Sequence, residues 1–474
     1  MTDAGSTNRV QVPARERLAR LRAATVWLLL GLVMLVVAYR SRLDARQELP
    51  PGRHEVVFWH FWGGKDRRVV EGIVDQFNAS QTEHFVRAIA MPGNNVDLKL
   101  FLGVAGGRPP DVVNQDDPIV ADWAARGALL PLDELGSAAE VAALDTWLFP
   151  AARAIGSYRN RLYALCNGLD IRALYYDERV LEEYGLRPPR TLAELDAIAE
   201  RIAPPPDRPS AAGRPIERYG FLPDPRRIWA WGIVFGGRFY DPASGQITSD
   251  SEPIMRACQW MASYGERYGY EQVIRYRKSD QALPGAAFPL LEKRYALVMD
   301  GQWRVAEVAA AAAAARKREQ PEPRIGVVPL PPPAGGLERA GWVNGNFFVV
   351  PRGGHNPAGA WRFMQFWSGL DGHAADAARA CAAGGWIPAG REVVEQPVFQ
   401  DYLREYPLFR TFVELAASPQ QVPTPAIPGA QYFQDEISRA AEDALAGRLP
   451  PRAALEGATR RVRARLNELA EELP

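Results

Sequence analysis

Apolar and polar positions change period along this chain, and each change marks an element. Residues 55–58 read as a strand. Val69, Val70, Ile73, Val74 and Phe77 then recur at helical spacing and give one apolar face. Residues 85–91 read as a second strand and 98–104 as a second helix, stopped by Gly106-Gly107. Arg108-Pro109-Pro110 forces extended backbone into Asp111-Val112-Val113. A helix over 119–126 follows and Gly127 is placed to end it. Alternating strand and helix predicts a mainly parallel sheet covered on both faces.

The pattern restarts after Leu162 with an apolar and aromatic strand over 171–176. Thr191-Leu192-Ala193-Glu194 is a capping box, opening a helix with Leu192, Leu195, Ile198 and Ile202 on one face. A proline-rich loop spans 204–215, and residues 228–239 are apolar and aromatic up to the break at Gly236-Gly237. Strands are expected at 296–301, 325–330 and 347–351, and helices at 309–315 and 358–368. Arg316-Lys317-Arg318 suits the negative end of the helix over 309–315. Residues 433–469 read as two amphipathic helices around 447–451, and no internal repeat is visible.

Ala23 to Tyr39 carry no charge and form an apolar run at the lower limit of length for a bilayer span. Arg9, Arg15, Arg17, Arg20 and Arg22 precede it, and Arg40, Arg42 and Arg46 follow. The excess before the run places the N-terminus inside and the bulk of the chain outside. The expected order is a cytoplasmic tail over 1–22, a transmembrane anchor over 23–39 and a tether over 40–54. The alternative is a signal peptide cut after Val36-Val37-Ala38, although basic residues crowd that site.

At 474 residues, two to three domains are expected. The formal charge is zero and no block of like charge dominates, which argues against nucleic acid as a partner. Cys166, Cys258 and Cys381 are odd in number and far apart, fit neither a metal motif nor a disulfide framework, and read as buried thiols. There is no nucleophile elbow, Gly-rich phosphate loop or His-Glu-x-x-His helix, and the five His are not spaced as zinc ligands. No catalytic residue, metal or cofactor is therefore assigned. A glycoside-acting enzyme using Asp116 and Asp170 stays as a minor alternative, because only the fold sets a carboxylate separation.

An ordered set of motifs resembles the extracellular solute-binding proteins of ABC importers, specifically the family-1 type with its maltodextrin-like and glycerol-phosphate-like binders. The residues carrying the resemblance are Phe58-Trp59-His60, Gly107-Arg108-Pro109-Pro110-Asp111-Val112, Trp123 through Asp133, Leu174-Tyr175-Tyr176-Asp177 and Asp300-Gly301-Gln302-Trp303. Gly341-Trp342, Gly385-Trp386-Ile387-Pro388 and Ala444-Leu445-Ala446-Gly447 complete the set. The resemblance implies an α/β fold of two lobes, of the type II periplasmic binding class, joined by segments that cross near a central cleft. On that basis the first lobe is expected at 55–163 with 327–370, and the second at 164–326 with 371–474.

Ligands in open α/β sheets lie beyond the carboxyl ends of strands. His60 and Trp62 follow the first strand, with Trp62 as candidate aromatic platform and His60 as donor or acceptor. Asn114 and Asp116 follow the next strand, and Asn167 and Asp170 fall near the expected crossover. Their amides and carboxylates suit hydroxyl groups, and capping or bracing the hinge is the competing use. Trp229 and Trp231 would share one face of a strand, more as core than as cleft lining. Trp303, Trp342, Asn344 and Trp386 follow glycine turns where backbone can approach a ligand. Arg391 would take a phosphate or carboxylate, provided it does not face solvent.

The expected function is capture of a small solute by lobe closure, with a sugar or oligosaccharide leading and glycerol phosphates second. The partners are then ABC permease subunits and, through the N-terminal segment, the membrane; the protein is expected to act as a monomer. A membrane-anchored sensor or scaffold on the same fold is the alternative.

Overall fold

The computed structural model describes residues 27, 31–36, 49–91, 96–205, 216–281 and 287–473. The chain divides into two compact units, 1–53 and 54–474. In the first unit Trp27 and residues 31–36 are helical, and Trp27, Leu32, Val33, Met34, Leu35 and Val36 expose their side chains. The rest of the expected anchor over 23–39, the tail 1–22 and the tether to residue 48 lie outside the described residues. No described helix is long and apolar enough to cross a membrane.

The second unit is built on a nine-stranded sheet. Its strands are β1 (His54–His60), β2 (His84–Ala90), β3 (Val112–Asp116), β4 (Leu129–Leu130), β5 (Ala164–Asp177), β6 (Leu297–Gly301), β7 (Ile325–Val328), β8 (Gly341–Pro351) and β9 (Gln421–Pro423). The main order is β6-β5-β8-β3-β1-β2; β7 pairs with β5, and β4 and β9 pair with β8. β1 is parallel to β2 and β3, and β9 is parallel to β8. β8 runs antiparallel to β3, β4 and β5, and β5 antiparallel to β6 and β7. The sheet is thus mixed, which corrects the mainly parallel expectation. Helical crossovers impose parallel pairing on the first three strands, but β5 and β8 are long enough to pair directly side by side.

Those two strands join the halves of the sheet. The end of β8, Asn346–Val349, lies against β3, while the end of β5, Leu174–Asp177, lies against β6 and β7. Between them the register slips at Asn346/Phe347, so that Asn167 bulges out of the ladder. Asp111 anchors the entry to β3: its carboxylate accepts from Val57 N at 2.8 Å and from Asn356 N at 2.7 Å. The expected capping box is present, with Glu194 N donating to Thr191 Oγ1 at 3.2 Å and Thr191 N to the Glu194 carboxylate at 3.3 Å.

One element differs in kind. Trp229 and Trp231 lie on a helix, Ile228–Val234, and not on a strand. A short run apolar at every position carries no period that distinguishes the two. Asp224 caps the turn before it, accepting from Arg226 N at 3.1 Å, and Gly236 leaves it at φ +91°. The helix is buried all round: Trp229 stacks on Phe239 at 4.1 Å and Trp231 meets Trp260 at 4.6 Å. The three cysteines are buried thiols, and burial pushes Cys258 and Cys381 up to about 12.

Candidate functional site

Period-two geometry along β3, β5 and β8 lays a row of polar side chains on one face of the sheet. Asp116 of β3 is the cross-strand partner of Asn346 of β8, and Asn344 of β8 is the partner of Asp170 of β5. Asn346 Nδ2 donates to Asp116 Oδ1 at 2.8 Å. Gln302 Nε2 donates to Asp170 Oδ1 at 2.6 Å, and Gln302 Oε1 accepts from Ile171 N at 3.1 Å. Arg172, two residues beyond Asp170 on the same strand face, donates to Asn344 Oδ1 and to the Asp170 main-chain carbonyl.

This row, the floor of the candidate site, is partly covered, with Asp116 exposed and Asp170 and Asn344 half-buried. Asp116 is reached by water at its surface, yet protein surrounds its carboxyl on the other sides. Burial raises its pKa to about 6; the Asp170 carboxylate adds to the rise, and Arg172 and the Asn346 amide oppose it. Burial also raises Asp170, against the pull of Arg172, Gln302 and Arg227. The floor therefore carries two carboxylates and the Arg172 guanidinium, with the charge of Arg227 felt at Asp170.

Trp303 and Trp342 flank Arg172. The guanidinium carbon lies 5.1 Å from the Trp303 ring centre and 4.8 Å from that of Trp342. Trp342 is buried and its Nε1 donates to Thr424 Oγ1 at 3.0 Å. Trp303 is half-buried and folds back over Gly301, where a Cβ would come within 2.1 Å of the indole.

His60, Trp62, Asn114, Asn167 and Trp386 form a second, buried group beside this floor. Trp62 is 7 % exposed, stacked on Phe61 at 4.9 Å and Trp367 at 5.9 Å, with Trp386 at 5.5 Å. The His60 ring lies 5.9 Å from Trp62, and burial first, then Arg67, lowers its pKa to about 4. Asn114 Nδ2 donates to Asn167 Oδ1 at 2.8 Å. That leaves Asn114 Oδ1, Asn167 Nδ2 and His60 Nδ1 buried without a partner among the described residues.

The structure thus brings Asp116, Asp170, Asn344, Trp303 and Trp342 together, and sets His60, Trp62, Asn114, Asn167 and Trp386 next to them under cover. It keeps Trp229 and Trp231 in the core, 1 % and 0 % exposed. Arg391 is exposed in the first turn of the helix Arg391–Val394, so the condition for an anion contact there is not met. Sequence reasoning missed Arg172, Gln302 and Asn346. The alternations Asp170-x-Arg172 and Trp342-x-Asn344-x-Asn346 carried the signal, since a strand puts such residues on one face. A surface groove of about 820 Å³ beside β7 shares none of these residues. Among the described residues, no group of three or more His, Cys, Asp or Glu is placed to hold a metal.

The mixed sheet, its long shared strands β5 and β8 and the polar row beside Trp303 and Trp342 are the features set against known proteins. The sequence matches the family of bacterial extracellular solute-binding proteins over residues 65–373, and the chain belongs to that family. It is 27 % identical over 162 residues to the alpha-glucosides-binding periplasmic protein AglE of Rhizobium meliloti (strain 1021), covering 32 % of this chain and 34 % of that protein. It is 26 % identical over 156 residues to the sn-glycerol-3-phosphate-binding periplasmic protein UgpB of Yersinia pestis, covering 31 % and 35 %. The matches span about a third of the length of these curated relatives. The sugar-binding protein MalE of Xanthomonas citri superposes with a TM-score of 0.70 at 19 % identity, over 88 % of this chain and 98 % of that one. CpMnBP1 with mannotriose bound gives 0.68 at 22 %, over 86 % and 99 %. These likenesses establish the two-lobe periplasmic binding-protein fold.

Proposed function

We propose that this protein captures a sugar or oligosaccharide outside the cytoplasmic membrane, by closure of two lobes, and delivers it to an ABC importer. The lobes are taken as 55–163 with 327–370 and 164–326 with 371–474. The chain is held at the membrane by residues 23–39 or released after cleavage there. The observation that carries the cargo class is the acceptor-rich floor beside a half-buried indole. Asp116, Asp170 and Asn344 suit several hydroxyl groups at fixed positions, and Trp303 suits the C–H face of a sugar ring. Arg172 is spoken for by Asn344, the Asp170 carbonyl and two indoles, and Arg391 is exposed, so neither is set to take a phosphate dianion beside Asp116 and Asp170. The neutral-sugar reading therefore stands ahead of glycerol phosphate. The alpha-glucosides in the name of AglE accord with this choice, and the sn-glycerol 3-phosphate in the name of UgpB with the runner-up.

The test is a thermal-shift panel on the full chain with maltodextrins, manno-oligosaccharides, sn-glycerol 3-phosphate and polyamines. A sugar at about 100 times its Kd is expected to stabilise by roughly 2.7 kcal/mol. A shift with sn-glycerol 3-phosphate and with no sugar would overturn the reading.

A further inference from the structure

The guanidinium of Arg172 lies over two indoles at once. Arg172 is 7 % exposed, and its guanidinium carbon lies 5.1 Å from the Trp303 ring centre and 4.8 Å from that of Trp342. The two rings are not equivalent. Trp342 is 3 % exposed and tied to Thr424, whereas Trp303 is half-buried and keeps some surface open. A buried guanidinium is a costly filler compared with an aliphatic side chain of the same volume. Its contacts here offset that cost: two aromatic faces, the Asn344 amide oxygen and the Asp170 carbonyl, with the Asp170 carboxylate close enough to be held down by its charge.

We infer that Arg172 is a specificity-determining residue of the cleft: it fills the Trp303–Trp342 gap, holds Trp303 as a one-sided platform, and so restricts the solute to a single ring against the outward face of Trp303. The inference rests on the reading of Trp303 as the stacking platform. A flat cation or a second sugar ring finds no slot between the indoles, because a planar, always-charged group already lies there. Lysine would not serve, since its ammonium is compact, strongly hydrated and cannot lie flat against two rings at once. Gln302 and Gly301 complete the seat, the first bracing Asp170 at 2.6 Å and the second leaving room for the folded-back indole.

Chemical rescue tests this on the full chain. Arg172→Ala empties the gap, and ethylguanidinium added at millimolar, non-denaturing concentration is expected to refill it. The readout is a saturable change in tryptophan fluorescence and a rise in Tm, absent from wild type and from the Arg172→Ala/Trp303→Ala double variant. Ethylammonium, of equal charge but not planar, is expected to give a smaller change. No saturable response of Arg172→Ala to ethylguanidinium, or an equal response of wild type, overturns the proposal. Arg172→Lys keeps the charge and serves if Arg172→Ala does not fold. Its affinity for maltotriose is expected to fall about tenfold, and wild-type affinity in that variant also overturns the proposal. Failure of wild type to bind maltotriose would count against the cargo reading alone, because the ethylguanidinium titration needs no sugar.

Discussion

Asn346 and Asp116 face each other across antiparallel strands, and the Asn346 amide donates to the Asp116 carboxylate at 2.8 Å. That bond favours the charged carboxylate, but burial and the neighbouring Asp170 outweigh it and leave Asp116 at about 6. An acid whose folded pKa lies above its ordinary value binds more protons folded than unfolded between the two values. Stability therefore falls as pH rises from about 4 to about 6. Asp170, raised by burial, acts in the same direction. Asp116→Asn is expected to flatten the decline of Tm across this window and to raise Tm at pH 7. An unchanged slope of Tm against pH would remove Asp116 as its source.

Trp62 and Trp303 should separate in their effects. Trp62 is packed among Phe61, Trp367 and Trp386, and truncating such a side chain costs about 3–5 kcal/mol. Trp62→Ala is expected to lower the unfolding free energy by that much, read as a fall in the urea midpoint at unchanged m. Trp303→Ala, removing a half-buried ring, is expected to lower the midpoint less than Trp62→Ala does and to weaken sugar binding up to about tenfold, as loss of a stacking face does. Equal stability losses in the two variants would contradict the assignment of Trp303 to the cleft wall.

Gly301 is required by the indole that lies over it. A methyl at this position would come within 2.1 Å of Trp303 Cζ3, so the ring must leave its seat. Gly301→Ala is expected to cost about 1–3 kcal/mol of stability and to shift the tryptophan emission and reduce sugar affinity together. Retained affinity measured by calorimetry would show that the seat of Trp303 is not needed.

The thiols of Cys258 and Cys381, held up to about 12 by burial, should resist a thiol reagent in the native protein. Reaction with Ellman's reagent at pH 8 is expected only after denaturation, with three thiols then titrating. Rapid labelling under native conditions would mean that one of them is accessible.

The elements of the fold were legible where a period was unbroken. Residues 69–77 carry a helical repeat and lie in the helix Gly64–Ser80, and Thr191 and Glu194 announced their capping box. The strand expected over 171–176 was seen at half its true extent, because the polar residues Asn167 and Asp170 interrupt an apolar run that is in fact a 14-residue strand. Trp229 and Trp231 illustrate the opposite failure, since a fully apolar stretch has no period to read.

The candidate site was half legible. Asp116, singled out as following a strand, Asp170 as near the crossover and Asn344 as following Gly341, do come together on one sheet face. Arg172 was not singled out, because nothing local announces that a single arginine will lie between tryptophans distant from it in sequence. What the sequence determined by itself was most of the succession of strands and helices, the family and a formal charge of zero, all of which depend on local period, order of motifs and composition. Only the tertiary structure decided which tryptophans are core and which are wall, because β5 and β8 must pair before Arg172, Trp303 and Trp342 can meet. Burial depends on what the other strands bring to that face, and a chain read residue by residue does not contain that information.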